Sequence, residues 1–377
     1  MSSTQTPTLS SGTVVWADSS RQARFEHWFD GVQGAQGLDR STLQLASADA
    51  SFRRYLRVQS THGKRIIMDA PPEKENCQPF VHVAHLMEAA GLKVPQVLDW
   101  DAPHGFMLLS DLGSQTLMQV IDPAAAPPLP LYLQAVDALV QWQLASRPGE
   151  LPPYDEALLR RELELFPQWY LTGHRQVTID TAMRTTLDEA FGHIIQNNLA
   201  WPSVYVHRDF MPRNLMAPEG AVSPWGGPAA KLSAPSDNRL GVLDFQDAVY
   251  GPITYDIASL MRDAFLSWEE DFCLDVTIRY WEKARKAGLP VGDDFGEFYR
   301  GVEWMGLQRH LKVAGIFARL TLRDGKPQYL ADTPRFIGYI RATCARYREL
   351  KPLLRLVESV EGIEPSNILA YNKPQAK

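Results

Sequence analysis

The sequence has few cysteines, no long apolar run and no surplus of positive charge. Its three cysteines, Cys77, Cys273 and Cys344, lie far apart and form no metal-ligand spacing, so we expect reduced thiols in a cytoplasmic protein. No stretch approaches the roughly 20 apolar residues of a membrane span, and residues 1–12 lack the features of a secretory signal. The net charge of −6 argues against nucleic-acid binding through phosphate contacts. We therefore expect neither a membrane nor a nucleic acid as partner.

The remaining composition is that of an ordinary globular protein, with 45% hydrophobic and 22% charged residues. A chain of 377 residues is long enough for one large bilobal unit or for two domains. Alternating apolar and basic residues predict a strand at residues 52–58, and short apolar or β-branched runs predict strands at 65–69, 94–98 and 105–109, with a turn at 61–64. Helical periodicity is found at residues 21–29, 79–90, 131–145, 154–169 and 181–197, and in further helices up to about 360.

The sequence does contain one informative pair of motifs, at residues 206–214 and 241–245. They supply Asp209, then Asn214 five positions later, and Asp244 directly after an apolar run. A His-x-Asp-x-x-x-x-Asn match arises by chance on the order of 0.02 times in a chain of this length. Phosphoryl transfer needs a carboxylate that orients the attacking hydroxyl and oxygen ligands that hold Mg²⁺ against the nucleotide phosphates. We predict Asp209 as the catalytic residue and Asn214 and Asp244 as metal ligands, converging on one cation.

Two further residues near these motifs are predicted to give structural support. His207 is expected to brace the loop by hydrogen bonding, and Asp256 to cap a helix that is tied to the loop. Each of these polar residues, taken singly, is also a common turn or cap former. The complete set in this order favours the catalytic interpretation.

The residues just described resemble the aminoglycoside phosphotransferase and choline kinase superfamily over about residues 40–350. The match comprises residues 207–214, Asp244 and the Gly-Pro…Asp-Ile-Ala segment at 251–258. The resemblance implies an α+β, protein-kinase-like bilobal fold, with a small N-terminal antiparallel-sheet lobe and a larger, mainly helical C-terminal lobe. It also implies ATP and Mg²⁺ as cofactors.

This resemblance gives the expected division of the chain. We expect a disordered tail at residues 1–15, a nucleotide-binding lobe at 16–111, a helical catalytic and substrate lobe at 112–360, and a C-terminal tail at 361–377. Residues 217–239 are rich in Pro, Gly, Ser and Ala and are expected to form a flexible insertion, because lengthening a surface loop costs little closure entropy.

A narrower resemblance links residues 49–55, 68–73, 110–113 and 158–169 to the bacterial anomeric N-acetylmuramate/N-acetylglucosamine kinases of cell-wall (peptidoglycan) recycling. These enzymes phosphorylate the C1 hydroxyl of an amino sugar. The resemblance therefore implies a small amino sugar as substrate. It also implies a sugar 1-phosphate as product, which a sugar-1-phosphate nucleotidyltransferase would convert to a UDP-sugar.

The sequence departs from the family at the phosphate-binding residues. Met68 or Asp69 stands where the fold usually has a lysine, residues 80–84 supply no partner glutamate, and no glycine-rich loop is present. Arg53, Arg54, Lys64 or Lys74 could supply the positive charge, and we expect Arg53 or Arg54, which lie on the hairpin expected to cover the phosphates. A solvated strand face is an open alternative for the two arginines. The predicted nucleotide contacts are Ser51, Arg53 and Arg54 at the phosphates, and Met107, Ser110 and Leu112 beside the adenine.

The helical half mixes carboxylates with aromatic side chains, a combination suited to hydrogen bonding and stacking on a sugar. The predicted substrate contacts are Glu162, Glu164, Phe166, Trp169 and Arg309, the last facing the carboxylate of N-acetylmuramate. An amphipathic helix with its aromatics in the core is an equal interpretation. Two other functions remain open: phosphorylation of an aminoglycoside, choline or another hydroxyl compound, and a pseudokinase-like module that binds nucleotide without turnover.

Overall fold

The structure is a computed structural model that describes residues 14–16, 18–48, 52–218 and 238–364. Ser51, most of the predicted insertion at 217–239 and most of both predicted tails lie outside the described residues. The chain divides into two compact units. The first contains the described residues up to 116, together with 214–218 and 238–247. The second contains residues 117–213 and 248–364.

The first unit is built on an antiparallel sheet, as predicted, and this sheet has five strands. The strands follow the order β1-β2-β3-β5-β4, and their bounds are β1 Leu38–Ala48, β2 Arg54–Ser60, β3 Gly63–Asp69, β4 Val97–Asp101 and β5 Phe106–Ser110. Two details differ from the sequence-based expectation. β1 was not predicted, because bulges interrupt its pairing with β2 and so break the period-2 pattern. β4 begins three residues late, at Val97, because Pro95 cannot donate to a ladder.

Helix α1 (Ser19–Gln36) covers one face of this sheet. Its Phe25, Trp28 and Phe29 form a buried cluster with side chains from the strands, namely Leu56, Val58, Ile67, Phe106 and Leu108. Successive side chains of a strand point to opposite faces. Met68 and Met107, which are fully buried, therefore lie on the other face of the sheet.

Three further elements complete the first unit. They are helix α2 (Gln78–Ala89) and the paired short strands Leu215–Met216 and Gly241–Val242. The amide of Val242 donates to the carbonyl of Lys93 at 2.8 Å. The Phe245 ring lies 4.9 Å from the Phe80 ring of α2, between ring centroids. The segment that carries Asp244 is thereby fixed to the body of this unit.

The second unit is mainly helical, in agreement with the α+β class. Its helices are α3 Leu117–Val120, α4 Leu129–Leu144, α5 Glu156–Leu163, α6 Thr181–Leu199, α7 Thr254–Met261, α8 Glu270–Lys286, α9 Phe295–Leu322, α10 Thr333–Arg346 and α11 Lys351–Glu361. Helix α9 is 28 residues long and packs against α6, α7 and α10. No helix formed by the described residues is long and apolar enough to cross a membrane.

The prediction of one helix over residues 154–169 was wrong in its second part. Helix α5 ends at Leu163, and a π-helix follows at Phe166–His174. Pro167 stands at the start of this π-helix, where it cannot donate the hydrogen bond that would continue α5. The aromatic side chains of this region therefore leave the face on which α5 would have placed them.

Candidate active site

The loop at residues 207–213 follows the strand Ser203–Val206, which pairs with Val249–Pro252 in the second unit. Asp256 of α7 is fully buried and holds this loop. Its carboxylate accepts hydrogen bonds from the amides of His207, at 2.7 Å, and Arg208, at 3.0 Å. The predicted support residue Asp256 thus contacts the backbone of the loop directly.

Arg208 adopts a left-handed backbone conformation, with a φ of 77°. This conformation is strained for a residue other than glycine, and it persists where surrounding contacts enforce it. Three such contacts are present. The Arg208 amide binds Asp256, its guanidinium donates to Glu162 at 2.6 Å, and its carbonyl accepts a hydrogen bond from the Arg309 guanidinium. Strain at this position marks the loop as a functional candidate.

Glu162 of α5 lies at the centre of a buried ionic cluster. Besides Arg208, it contacts Lys312 of α9, with Nζ at 2.9 Å, and the hydroxyl of Tyr154, at 2.5 Å. Burial opposes the charged form of Glu162, but the positive charges of Lys312 and Arg208 outweigh it and lower the pKa to about 2. Glu162 is therefore ionised and acts as an anchor for the loop and for α9.

Asp209 is half-buried, with 43% of its side chain exposed, and its carboxylate lies 4.0 Å from the Arg309 guanidinium. Its amide donates to Nδ1 of His207 at 3.3 Å. Crowding by protein atoms raises the pKa of Asp209, but the charges of Lys312 and Arg309 prevail and hold it below the ordinary value. An ionised, accessible carboxylate of this kind can accept a hydrogen bond from an acceptor hydroxyl.

The two predicted metal ligands lie side by side in the first unit. The amide nitrogen of Asn214 is 3.4 Å from Oδ2 of Asp244, and the Leu243 amide donates to the Asn214 carbonyl at 2.9 Å. Asp244 has a φ of 60°, which is a second strained position. Amide and carboxylate oxygens are ligands that Mg²⁺ accepts, and Mg²⁺ commonly fills its other positions with water and phosphate oxygens. The pair therefore fits a divalent cation that is shared with a nucleotide.

A metal cage made by the protein alone is not found. No group of three or more His, Cys, Asp or Glu side chains in the described part of the chain could hold an ion. The convergence of Asp209 with Asn214 and Asp244 on one cation stays a prediction.

The structure separates the two arginines predicted at the phosphates. Arg54 forms two hydrogen bonds with Asp69, at 2.7 and 3.0 Å, and Arg21 binds the same carboxylate. Arg53 instead approaches Asp244, with Nη2 at 4.0 Å from Oδ1. Ser51 lies outside the described residues. Of the two arginines, Arg53 is the one near the candidate metal ligands.

The residues predicted to lie beside the adenine come from β5 and from the segment directly after it. Met107 is fully buried, and Ser110 exchanges hydrogen bonds with the backbone of Gln96, at 2.9 and 3.0 Å. Leu112 packs against Gly241, where an added Cβ would lie 2.9 Å from the leucine side chain. A cavity of about 530 Å³ opens beside Leu112 in the same unit. Contact of these residues with adenine stays a prediction.

The five residues predicted to bind substrate lie in different environments. Glu162 and Arg309 are buried, with Arg309 4.0 Å from Asp209 and Glu162 bound to Arg208, and Phe166 is fully buried and stacked on Tyr170. Glu164 is partly exposed and bonds Arg184 at 2.9 Å, and Trp169 is half-buried. The internal partners of Glu162 and Arg309 favour support of the loop. The substrate role of all five stays a prediction.

Sequence reasoning missed Lys312 and Arg208, and it did not name Glu75. Lys312 could have been found, because it is a lone charge beside Leu311 and Val313 in an apolar stretch, three residues after Arg309. Arg208 occupies the position between His207 and Asp209 that the motif leaves unspecified. Its partners on α5 and α9 can be identified only from the folded structure. Glu75 precedes α2 in a turn, where sequence gives no signal of its neighbours.

Comparison with known proteins shows the family to which this chain belongs. Residues 42–223 and 232–295 match the model of the phosphotransferase enzyme family. The chain belongs to the phosphotransferase enzyme family. The prediction of the family made from residues 207–214 and 251–258 is thereby confirmed. Phosphotransferases of the kinase type use ATP and a divalent metal ion in general.

Two relatives within this phosphotransferase family match over nearly their whole length. A protein of Neisseria meningitidis serogroup B, named N-acetylmuramate/N-acetylglucosamine kinase, is 45% identical over 347 residues, covering 91% of this chain and 97% of the relative. A protein of Pseudomonas aeruginosa with the same name is 44% identical over 356 residues, covering 92% and 99%. An ethanolamine kinase structure from Plasmodium vivax, 12% identical, gives a TM-score of 0.56 over 90% of each chain. That likeness confirms the predicted kinase-like fold.

Proposed function

We propose that this phosphotransferase is an ATP-dependent kinase that phosphorylates the anomeric C1 hydroxyl of N-acetylmuramate and N-acetylglucosamine. The reaction type rests on the ionised Asp209, carried by a loop that Asp256 holds and Arg309 approaches. The substrate class rests on the two relatives that are 44 and 45% identical over more than nine tenths of this chain. We also propose that it works in the cytoplasm, where ATP is supplied.

The residues take the following roles in this proposal. Asp209 orients the C1 hydroxyl toward the γ-phosphate and accepts its proton as the oxygen–phosphorus bond forms. Asn214 and Asp244 would hold Mg²⁺, which would supply positive charge against the phosphates. Arg309 and Lys312 keep Asp209 ionised, so that it accepts a hydrogen bond at neutral pH. ADP and the sugar 1-phosphate leave as products, and a sugar-1-phosphate nucleotidyltransferase is the proposed consumer of the latter.

The decisive test is turnover with a panel of acceptors. We expect Mg²⁺-dependent ADP release with the two amino sugars and none with choline or an aminoglycoside. Phosphorus NMR should show the product phosphate coupled to H1 of the sugar. Binding of nucleotide without turnover of any acceptor would contradict the proposal and would favour a pseudokinase-like module.

A substitution at Asp209 tests the mechanism separately. We expect Asp209→Asn to lower kcat by 10²- to 10⁴-fold, because the variant cannot accept the hydroxyl proton, while Tm and ATP affinity stay unchanged. Asp293→Asn is the matched control, since Asp293 is 92% exposed and pairs only at the surface with Arg285. A kcat of the Asp209 variant equal to that of the control would refute the assigned role.

A further inference from the structure

The phosphate-binding machinery of this chain lacks its usual parts. Kinases of this fold use a lysine of the third strand, paired with a glutamate of the following helix, at the nucleotide phosphates. Here β3 offers Met68, which is fully buried, and Asp69, which is occupied by Arg21 and Arg54. The first turn of α2 contains no acidic residue. Another cation is needed, because the phosphates carry several negative charges.

Two consecutive arginines stand at the start of β2: Arg53 precedes the strand and Arg54 is its first residue. Their side chains have different partners. Arg54 points to the face of the sheet that α1 covers, where it binds Asp69. Neighbouring side chains of an extended chain leave on opposite faces, so Arg53 leaves on the face that also carries Met68. Tyr55 pairs with Met68 in the strand register, so Arg53 lies two residues along the chain from the strand partner of a position where the fold usually has its lysine. Its guanidinium ends 4.0 Å from Asp244.

Glu75 is placed to hold this arginine. One carboxylate oxygen of Glu75 accepts a hydrogen bond from the Phe52 amide at 3.0 Å, and the other lies 3.9 Å from Nε of Arg53. The contacts fix both the backbone before Arg53 and its side chain. Arg53 is only 10% exposed and Glu75 20% exposed, so the pair is shielded from solvent more than an ordinary surface ion pair.

We infer that Arg53 takes the place of the missing lysine as the ligand of the nucleotide phosphates, and that Glu75 is its positioning residue in place of the missing helix glutamate. The inference rests on the proposed use of ATP and deepens it. A phosphate that shares a divalent cation with Asp244 lies beside that carboxylate and therefore beside the guanidinium. Arginine can bind such a phosphate through two parallel hydrogen bonds.

Equilibrium binding of ATP, ADP and adenosine to the full chain tests this inference without any sugar. We expect Arg53→Met to weaken ATP and ADP binding 10- to 100-fold and to leave adenosine binding within about twofold of wild type. Arg53→Lys should restore part of the ATP affinity, because it restores the charge without the planar fork. Arg40→Met is the matched control, because Arg40 pairs with Glu26 and Asp30 at the surface of the same unit.

The role of Glu75 is tested by a double-mutant cycle. Glu75→Gln should weaken ATP binding about fivefold in the wild type but have no further effect in Arg53→Met, since Glu75 acts through Arg53. Glu75→Asp should recover part of the loss. A purely structural role would instead lower ATP and adenosine affinity equally and would add to the Arg53 effect.

The outcomes distinguish this inference from the proposed function. Equal ATP affinity in Arg53→Met and wild type, or equal losses for ATP and adenosine, would overturn the inference even if the sugars are phosphorylated. A selective loss of ATP and ADP affinity would support it even if no amino sugar is turned over. Thermal unfolding of each variant shows whether a loss of binding comes from a loss of folding.

Discussion

The pKa values of buried carboxyl groups in the helical unit depend on the balance between burial and neighbouring positive charges. Glu162 is surrounded by cations, and its pKa falls to about 2. This depressed pKa stabilises the folded state above the unfolded value of about 4.5, and the contribution is lost as the pH falls toward 2. Asp256 and Asp263 show the opposite balance, because burial dominates and raises both pKa values to about 6. Buried carboxyl groups within one unit thus respond to acid in opposite directions.

Asp263 gives a testable pH effect. Its folded-state carboxyl binds a proton up to about pH 6, whereas the unfolded chain releases it near 3.8, so this group makes stability fall as the pH rises between these values. We expect Asp263→Asn to remove that slope and to exceed wild type in stability above pH 6 by about 1–3 kcal/mol. Tm measured from pH 4 to 8 checks it. Parallel profiles for the two proteins would contradict the expected titration.

At the scale of elements, close helix packing depends on small residues at defined positions. Gly315 in the middle of α9 faces the segment between α5 and the π-helix. A Cβ added there would lie 2.4 Å from both the carbonyl carbon and the carbonyl oxygen of Leu165. Real Cβ atoms do not approach a backbone group this closely. Helix α9 carries Arg309 and Lys312, so its distance from this segment also sets their positions near Glu162 and Asp209.

We therefore expect Gly315→Ala to destabilise the protein by about 1–3 kcal/mol, because overpacking forces the backbone apart. The matched control is Gly338→Ala in α10, where a Cβ meets nothing within 4 Å. That change should be neutral or stabilising by about 0.5–1 kcal/mol, owing to the higher helix propensity of alanine. Chemical denaturation of both variants measures the difference. Similar behaviour of the two glycines would contradict the packing argument.

At the scale of the molecule, the candidate site residues are divided between the two units. Asp209 belongs to the helical unit, while Asn214, Asp244 and Arg53 belong to the unit with the sheet. Asp209 and Asn214 are only five positions apart in the sequence, and the chain passes from one unit to the other between them. A ligand that binds the folded state stabilises the whole chain by mass action.

Nucleotide and metal should therefore raise the stability of the whole molecule together. We expect ADP with Mg²⁺ at 100 times its Kd to add about 2.7 kcal/mol, with a matching rise in Tm. Chelation by EDTA should reverse most of this gain, because the proposed ligands Asn214 and Asp244 would hold the cation only together with the phosphates. Asp244→Asn should lose the metal-dependent part, and Asp293→Asn should keep it. A gain in Tm that is unchanged by EDTA would exclude a metal-bridged nucleotide.

The local sequence determined the elements and the motif. Period-2 alternation located β2, short apolar or β-branched runs located β3 and β5, and helical periodicity located α2 and α6, because each pattern reflects burial. The resemblance at residues 207–214, Asp244 and 251–258 predicted the family, which the family model confirms. Local pattern failed at β1, where bulges break the alternation, and at residues 164–169, where Pro167 changes the helix type.

Only the tertiary structure decided the partners of charged side chains. The sequence could not show which of the adjacent arginines, Arg53 or Arg54, approaches Asp244. That outcome depends on Asp69, Glu75 and Asp244, which come from three other segments. Sequence reasoning likewise assigned Glu162 and Arg309 to the substrate, whereas their nearest partners are Arg208, Lys312 and the backbone of the loop. Hydrophobic patterns in the sequence show which face of a helix or strand is buried. Electrostatic pairing depends on distances of a few ångströms between residues far apart in sequence, and those distances are set only when the chain has folded.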